Sequence, residues 1–101
     1  MYKLCYLPLA QKDLEAITNY IADTLHAPQA AVDFLDAVEA GISQLREYPY
    51  SCRIYQPLIA VDLEYRVLVI ENYLVFYVVL DDIVEIHRVI YSRRNLPQII
   101  T

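Results

Sequence analysis

Apolar residues in the first quarter of the chain recur at the spacing of an α-helix. Intervals of three, four and four residues put them on one stripe of the helix surface, while most of the charged residues between them fall elsewhere. The stripe consists of Leu14, Ile17, Ile21 and Leu25. The spacing therefore predicts an amphipathic helix over residues 9–25.

A second helical pattern follows a short break at His26 and Ala27. It opens on Pro28, a residue favoured at the first helical position, and its apolar residues keep helical spacing as far as Pro49. So short a connection predicts that the two helices form an antiparallel hairpin. Gly41 stands inside the second helix at a cost of about 1 kcal/mol relative to alanine, so we expect the backbone to pack closely there.

The second half of the chain is rich in β-branched and aromatic residues. It contains three such runs, separated only by Glu71-Asn72 and Asp81-Asp82, and short polar connections of this kind are typical of consecutive antiparallel hairpins. The middle run is apolar on both faces, which predicts a central strand. The runs cover residues 65–70, 73–80 and 83–91.

Two further segments complete the predicted topology. Residues 2–7 form a short strand that is ended by Pro8, which cannot donate to a ladder. Residues 48–60 carry two prolines and no clear period, so we expect a loop with room for a short extended piece, and loops of this length are often functional. The order β-α-α-β-β-β predicts an α+β fold in which a helical hairpin packs on an antiparallel sheet.

At 101 residues, the chain has the length of a single domain, residues 1–101.

Charge is unevenly distributed along the chain. The formal net charge of −5 argues against indiscriminate binding to polyanions, because affinity for nucleic acid comes largely from neutralisation of phosphates by Lys and Arg. Residues 1–47 hold seven acids and three bases, whereas residues 86–101 hold three bases and no acid. The chain therefore has an acidic half and a locally basic end.

Cysteines, histidines and apolar runs narrow the class of protein. Cys5 and Cys52 are too few for a disulfide framework, so we expect both to be reduced, with Cys5 in the core. His26 and His87 are isolated, and we expect no metal site. No run reaches the roughly 18 consecutive apolar residues of a membrane span, and the first residues lack the features of a signal peptide. We therefore expect a cytoplasmic protein that does not associate with membranes.

Short motifs follow one another in a fixed order along nearly the whole chain. In this order and at this spacing they resemble the pattern of the RelE/ParE superfamily of toxins, which includes plasmid stabilisation proteins and belongs to type II toxin–antitoxin systems. The motifs are Tyr2-Lys3-Leu4, Pro8-x-Ala10-x-x-Asp13-Leu14, Tyr20-Ile21-Ala22, Ala30-Ala31-x-x-Phe34, Leu45-x-x-x-Pro49, Tyr65-Arg66, Asn72-Tyr73-Leu74-Val75-Phe76-Tyr77 and Arg88-Val89-Ile90-Tyr91-x-Arg93-Arg94.

The resemblance implies a partner and a choice of activities. The partner is a cognate antitoxin, which in this family lays an amphipathic helix and an extended piece across the helical hairpin and the sheet edge. RelE-like members cut mRNA in the ribosomal A site, whereas ParE-like members poison DNA gyrase and cut nothing. A third alternative is a non-toxic module that only binds its antitoxin. None of these alternatives calls for a cofactor.

An mRNA interferase of this family would be a metal-independent endoribonuclease. The 2′-hydroxyl of the RNA attacks the adjacent phosphate, so the protein has to position the chain, stabilise the phosphorane charge and move protons. An arginine suits the second task, because its guanidinium is always charged and can grip a phosphate with two hydrogen bonds. The resemblance implies a catalytic set of Arg66, Arg88 and Tyr91, and it implies that the RNA backbone is held by Arg53, Arg93 and Arg94.

Each candidate has a structural alternative. Arg66 stands two residues from Glu64, so a salt bridge is as good an interpretation as a functional role. Arg88 lies among aliphatic residues, where an arginine is paired, at an edge or functional; one possible partner is Glu85. Tyr91 is one of ten tyrosines, and packing is the commoner role for this residue type.

The mRNA interferase is the first hypothesis, but two departures from its pattern favour a ParE-like or otherwise non-nuclease activity, or a toxin that has lost activity. No lysine follows Lys12, so the loop offers only Arg53, and a guanidinium is a poor proton acceptor at neutral pH. His87 would lie on the face opposite Arg88 in a regular strand, which makes it a weak candidate for a general base. The overall acidity also differs from the basic character expected of a protein that docks into ribosomal RNA.

Overall fold

Two helices pack against a four-stranded sheet in the computed structural model, which describes residues 1–55 and 63–93. The predicted β-α-α-β-β-β order is confirmed. The elements are β1 (Lys3–Tyr6), α1 (Pro8–Asn19), α2 (Pro28–Gln44), β2 (Arg66–Ile70), β3 (Tyr73–Leu80) and β4 (Ile83–Tyr91).

The sheet has the strand order β1-β4-β3-β2. The pairs β2–β3 and β3–β4 are antiparallel hairpins, as predicted, but β1 runs parallel to β4. The α+β architecture is therefore confirmed, with a mixed sheet where the sequence predicted a wholly antiparallel one. A two-residue turn forces its strands to be antiparallel, whereas β1 and β4 are joined through the rest of the fold, so no local turn fixes their relative direction.

The first helical pattern forms one α-helix and a π-helical segment. Pro8 stands in the first turn of α1, where its missing N–H has no intrahelical partner to lose. After Asn19 the chain widens into the π-helical segment Tyr20–Thr24, and His26 then adopts a positive φ of 52°. π-helical turns are rare and frequently lie at functional sites. Tyr20, the first residue of this segment, lines a groove beside α1.

The main core lies between α2 and the sheet. Gly41 of α2 faces β2 so closely that a Cβ atom at this position would lie 2.5 Å from Ile70 Cδ1, which confirms the close packing expected there. The expectation for Cys5 is wrong, because this side chain is exposed on β1. The buried members of this core on α2 are Phe34, Val38 and Ile42, and those on the sheet include Ile70, Val75, Tyr77, Val84, Ile86 and Val89.

Among the described residues, a second cluster of buried side chains draws on the sheet and on residues that precede β2. Because successive side chains of a strand point to opposite faces, Phe76 belongs to this cluster while its neighbours Val75 and Tyr77 belong to the helix-side core. The cluster comprises Tyr65, Val67, Phe76, Val78 and Ile90. The sheet therefore has a face toward α2 and a face away from it, which places the candidate residues relative to one another.

The predicted loop after α2 includes the expected extended piece. Ile54 forms an isolated antiparallel bridge with Arg66, and the N–H of Val67 donates to the Arg53 carbonyl over 3.1 Å. This piece lies along the outer edge of β2. Residues 56–60 of the predicted loop lie outside the described residues. Within the described ranges, no helix has the length and apolarity needed to cross a membrane.

Candidate functional site

An extra residue in β4 decides which side chains share a face. Phe76 pairs with Arg88 and Tyr77 pairs with Ile86, so His87 has no partner on β3 and the strand is bulged. Cross-strand partners share a face of the sheet, which puts Arg88 on the face of Phe76, away from α2. His87 also lies on this face, against Tyr65, so the expectation that His87 and Arg88 point to opposite faces is wrong.

His87 is held on both sides by hydrogen bonds. Its Nε2 lies 2.7 Å from Glu85 Oε1, and its Nδ1 lies 2.9 Å from the Tyr65 hydroxyl. A carboxylate only accepts, so in the neutral ring Nε2 carries the proton and Nδ1 accepts from Tyr65. Burial and the nearby Glu85 carboxylate both raise the pKa of Tyr65. Glu85 is therefore engaged with His87, and it is not the partner of Arg88.

The partner of Arg88 is Asp13 of α1. The guanidinium donates two hydrogen bonds to the carboxylate, from Nε over 2.7 Å and from Nη2 over 3.0 Å. These hydrogen bonds raise the pKa of Arg88, so the guanidinium stays charged. Both side chains are largely withdrawn from solvent, at 19% and 14% exposure. The Nε–Nη2 edge, one of the two guanidinium edges that could grip a ligand, thus already meets a carboxylate.

Asp13 also closes the edge of the sheet where β1 ends. Strand β1 pairs with β4 only as far as Ile86, and the last bond of this ladder runs from the Leu7 N–H to the Ile86 carbonyl. Beyond it, the Val89 N–H donates to Asp13 Oδ2 over 3.0 Å. A side chain from α1 thereby replaces the missing strand and satisfies a backbone donor that would otherwise be unpaired.

Arg66 holds the loop that follows α2. Its Nη1 donates to the Cys52 carbonyl over 2.8 Å, and its guanidinium stacks on the Tyr50 ring, with Cζ 4.9 Å from the ring centroid. Glu64 lies 3.5 Å from Nη2 but is 64% exposed, so the suggested salt bridge is present and contributes little. A second bond to this loop comes from β3, where the buried Tyr77 hydroxyl donates to the Pro49 carbonyl over 2.8 Å.

We predict that Arg66→Gln lowers the free energy of unfolding by about 1–2 kcal/mol, because a charged hydrogen bond and a stacking contact are lost. The loop should also loosen, so the Tyr55 and Val67 amides, which bond across this segment, should exchange faster with solvent. Urea unfolding and amide hydrogen exchange measure the two effects. Arg53→Gln is the matched control, because Arg53 lies in the same loop with an exposed side chain. Equal effects of the two substitutions would refute the conclusion that Arg66 holds the loop.

The structure does not bring Arg66 and Arg88 together. Arg66 pairs with Tyr77, which belongs to the core on the α2 side, whereas Arg88 pairs with Phe76, which belongs to the opposite cluster. The side chains of Arg66 and Arg88 therefore project from opposite faces of the sheet. Each is bound to protein groups, one to loop carbonyls and the other to Asp13. In this arrangement they do not form one phosphate-binding surface.

Tyr91 lies in a groove between α1, the start of β3 and the end of β4. Its ring meets the ring of Tyr73 edge to face, with centroids 5.5 Å apart. The groove has a volume of about 740 Å³. It is lined by Asp13, Ala16, Ile17, Tyr20, Leu25, Asn72, Tyr73, Val89 and Tyr91.

The three arginines expected to grip RNA are dispersed or outside the described residues. Arg53 and Arg93 are exposed, the first beside β2 and the second just after β4, and Arg94 lies outside the described part of the chain. Residues 1–55 and 63–93 contain no group of three His, Cys, Asp or Glu side chains that could hold a metal ion.

Sequence reasoning assigned no role to Asp13, although a signal was present. Asp13 stands three residues after Ala10 and four before Ile17, so it shares the stripe of α1 that these residues place against the fold. An acid on the packed side of a helix requires a partner. The spacing indicates that Asp13 is paired, but it does not indicate with which residue.

Comparisons with known proteins agree with this fold. The model of the family described as "ParE toxin of type II toxin-antitoxin system, parDE" matches residues 4–96. A solved structure from the chromosomal ParDE toxin–antitoxin system of P. aeruginosa is 19% identical, covers 92% of this chain and 98% of that chain, and superposes with a TM-score of 0.73. For YafQ from E. coli strain BL21(DE3) the identity is 16%, the coverage 91% and 94%, and the TM-score 0.58. No curated protein matches the chain.

At identities below 25%, the two structures establish the fold alone. The family model carries the assignment further, because it spans nearly the whole sequence, from β1 to beyond β4. A type II toxin implies a cognate antitoxin as its partner. The chain belongs to the ParE toxin family of type II toxin–antitoxin systems.

Proposed function

We propose that this toxin acts by binding its target, as a ParE-type inhibitor of DNA gyrase, and not by cutting mRNA. The observation that carries the proposal is the state of Arg88. Its Nε and Nη2 both donate to Asp13, so a phosphate could bind the same edge of the guanidinium only after displacing a carboxylate. A partly buried ion pair of this geometry is costly to open, because each charge would then lie unpaired in a poorly solvated place.

The remaining basic residues also support a non-nuclease activity. Cleavage by 2′-hydroxyl attack needs a charged group at the phosphate together with groups that move protons, all within hydrogen-bond reach of one site. Arg66 is committed to the loop on the other face, and Arg53 is exposed beside β2. No lysine follows Lys12. The net charge of −5 further disfavours a protein that must approach ribosomal RNA.

The proposal is tested by two assays on the same preparation of purified toxin. In the first, gyrase supercoils a relaxed plasmid in the presence of increasing toxin, and we expect inhibition that the cognate antitoxin reverses. In the second, primer extension on a message translated in the presence of the toxin should show no new 5′ ends. Codon-positioned cuts with unchanged supercoiling would overturn the proposal. A toxin that does neither and leaves growth unaffected would instead be the non-toxic binding module.

One observation favours the mRNA interferase as the second candidate. The bulge in β4 puts His87 on the same face as Arg88, and Glu85 orients the imidazole ring, so a proton-transfer group lies one residue from a guanidinium. In this alternative, Arg66, Arg88 and Tyr91 form the catalytic set, with Arg53, Arg93 and Arg94 on the RNA backbone. It requires Arg88 either to leave Asp13 or to hold the phosphate through Nη1, which makes no bond to Asp13, and it predicts that Arg88→Ala abolishes cleavage.

A further inference from the structure

Three tyrosines surround the groove beside α1. Tyr20 comes from the π-helical segment, Tyr73 from the start of β3 and Tyr91 from the end of β4. Tyr73 and Tyr91 meet at an interplanar angle of 64°, so their rings form a corner with aromatic surface on two sides. Tyr20 and Tyr91 remain 51% and 37% exposed, and the groove is therefore open to a partner.

The polar groups of this groove favour a cation. Burial raises the pKa of Tyr73, and the neighbouring Tyr91, Tyr20 and Glu71 raise it further. Asp13 also lines the groove, with its charge paired to Arg88. Arg88, whose guanidinium meets Asp13, is not among the lining residues, and neither are Lys12 and Arg93.

The tyrosine hydroxyls offer acceptors as well as ring faces. Within residues 1–55 and 63–93, no protein group forms a hydrogen bond with the hydroxyl of Tyr20, Tyr73 or Tyr91. A phenolic oxygen can accept from a ligand, and an arginine side chain carries five N–H donors and no acceptor. Its planar guanidinium also stacks on aromatic faces better than an ammonium does. Ring faces, oxygen acceptors and the nearby Glu71 carboxylate together match a guanidinium.

We propose that this tyrosine groove, defined by Tyr20, Tyr73 and Tyr91, receives an arginine side chain from the antitoxin. The inference deepens the proposed function, since it rests on the antitoxin partner of that proposal but not on the gyrase target. The charge balance supports a basic partner segment: residues 1–47, which include α1 and α2, hold seven acids and three bases. An apolar antitoxin side chain in the groove is the competing occupant.

The test is a double-mutant cycle between toxin and antitoxin, read as affinity of the purified full-length proteins. Tyr20→Leu removes an exposed ring while keeping a good helix former in place, and each arginine of the antitoxin is replaced in turn by methionine. We expect Tyr20→Leu and one arginine substitution each to weaken binding roughly tenfold, which corresponds to a partly desolvated cation–π contact. Combined, the two should cost little more than either alone, because both remove the same contact.

Two controls make the result specific. Tyr20→Phe keeps the ring face and should weaken binding less than Tyr20→Leu does, whereas Tyr48→Leu, at a tyrosine that is 64% exposed outside the groove, should leave affinity unchanged. Strictly additive losses with every arginine, or coupling to an apolar antitoxin residue, would overturn the inference. Because affinity is read without gyrase, a failed gyrase assay with intact coupling would count against the proposed target alone.

Discussion

Replacing Asp13 by alanine is expected to lower the free energy of unfolding by about 3 kcal/mol, a large share of the stability of a small domain. The substitution leaves the Arg88 guanidinium unpaired at 19% exposure and removes the acceptor of the Val89 N–H. Both groups lie where water reaches them poorly, so solvation replaces the lost bonds only in part. Urea unfolding followed by circular dichroism measures the effect.

Asp36→Ala is the matched control for this prediction. Asp36 is an exposed acid in the middle of α2, and loss of an exposed charge of this kind usually changes stability by less than about 0.5 kcal/mol. The difference between the two variants therefore isolates the contact with β4 from the general effect of removing a negative charge. Similar unfolding curves for both would mean that Asp13 does not hold the edge of the sheet.

A toxin in which Asp13 and Arg88 are both replaced by leucine is expected to inhibit gyrase at concentrations of the same order as the unchanged protein. Replacing a buried ion pair by apolar residues of similar volume is often neutral or stabilising, whereas breaking it from one side is not. The double variant should therefore recover much of the stability that Asp13→Ala loses, less the bond to the Val89 N–H. The same unfolding and supercoiling assays measure both quantities.

The double variant also separates a structural Arg88 from a catalytic one. If Arg88 stabilises charge at a scissile phosphate, the folded double variant should lose roughly 100-fold or more in activity, as the removal of one preorganised charged donor does in other enzymes. Growth arrest on expression without antitoxin gives an independent readout. A double variant that folds normally but no longer arrests growth would argue against the structural role.

Local patterns predicted most of the fold. The stripe through Leu14 and Ile17 predicted α1, and the short polar turn at Asp81-Asp82 predicted the β3–β4 hairpin; both are present. These features depend on residues close together in sequence, where helical periodicity and turn length leave few alternatives. The parallel direction of β1 was not predicted, because its partner β4 begins more than 70 residues later along the chain, with Lys3 opposite Ile83.

The candidate site was predicted less well than the fold. The sequence pointed to Arg88 as an arginine that is paired, at an edge or functional, and the structure pairs it at an edge. Its partner Asp13 is 75 residues away in sequence. The prediction that His87 and Arg88 lie on opposite faces failed because β4 contains a bulge, which the local sequence pattern does not indicate. The sequence assigned no role to Tyr20 or Tyr73, because the groove forms only where their elements meet Tyr91.

By itself, the sequence determined which segments are helices and strands, which side of α2 is buried, and that the acids concentrate in the first half. These properties follow from the periodicity of side chains along a single element and from composition, so no distant contact is needed to read them. Only the tertiary structure decided that β1 stops short of the end of β4, so that Asp13 fills the open edge and draws Arg88 to it. The reason is that a buried charge is stable only beside a partner, and packing of distant elements alone brings that partner within reach.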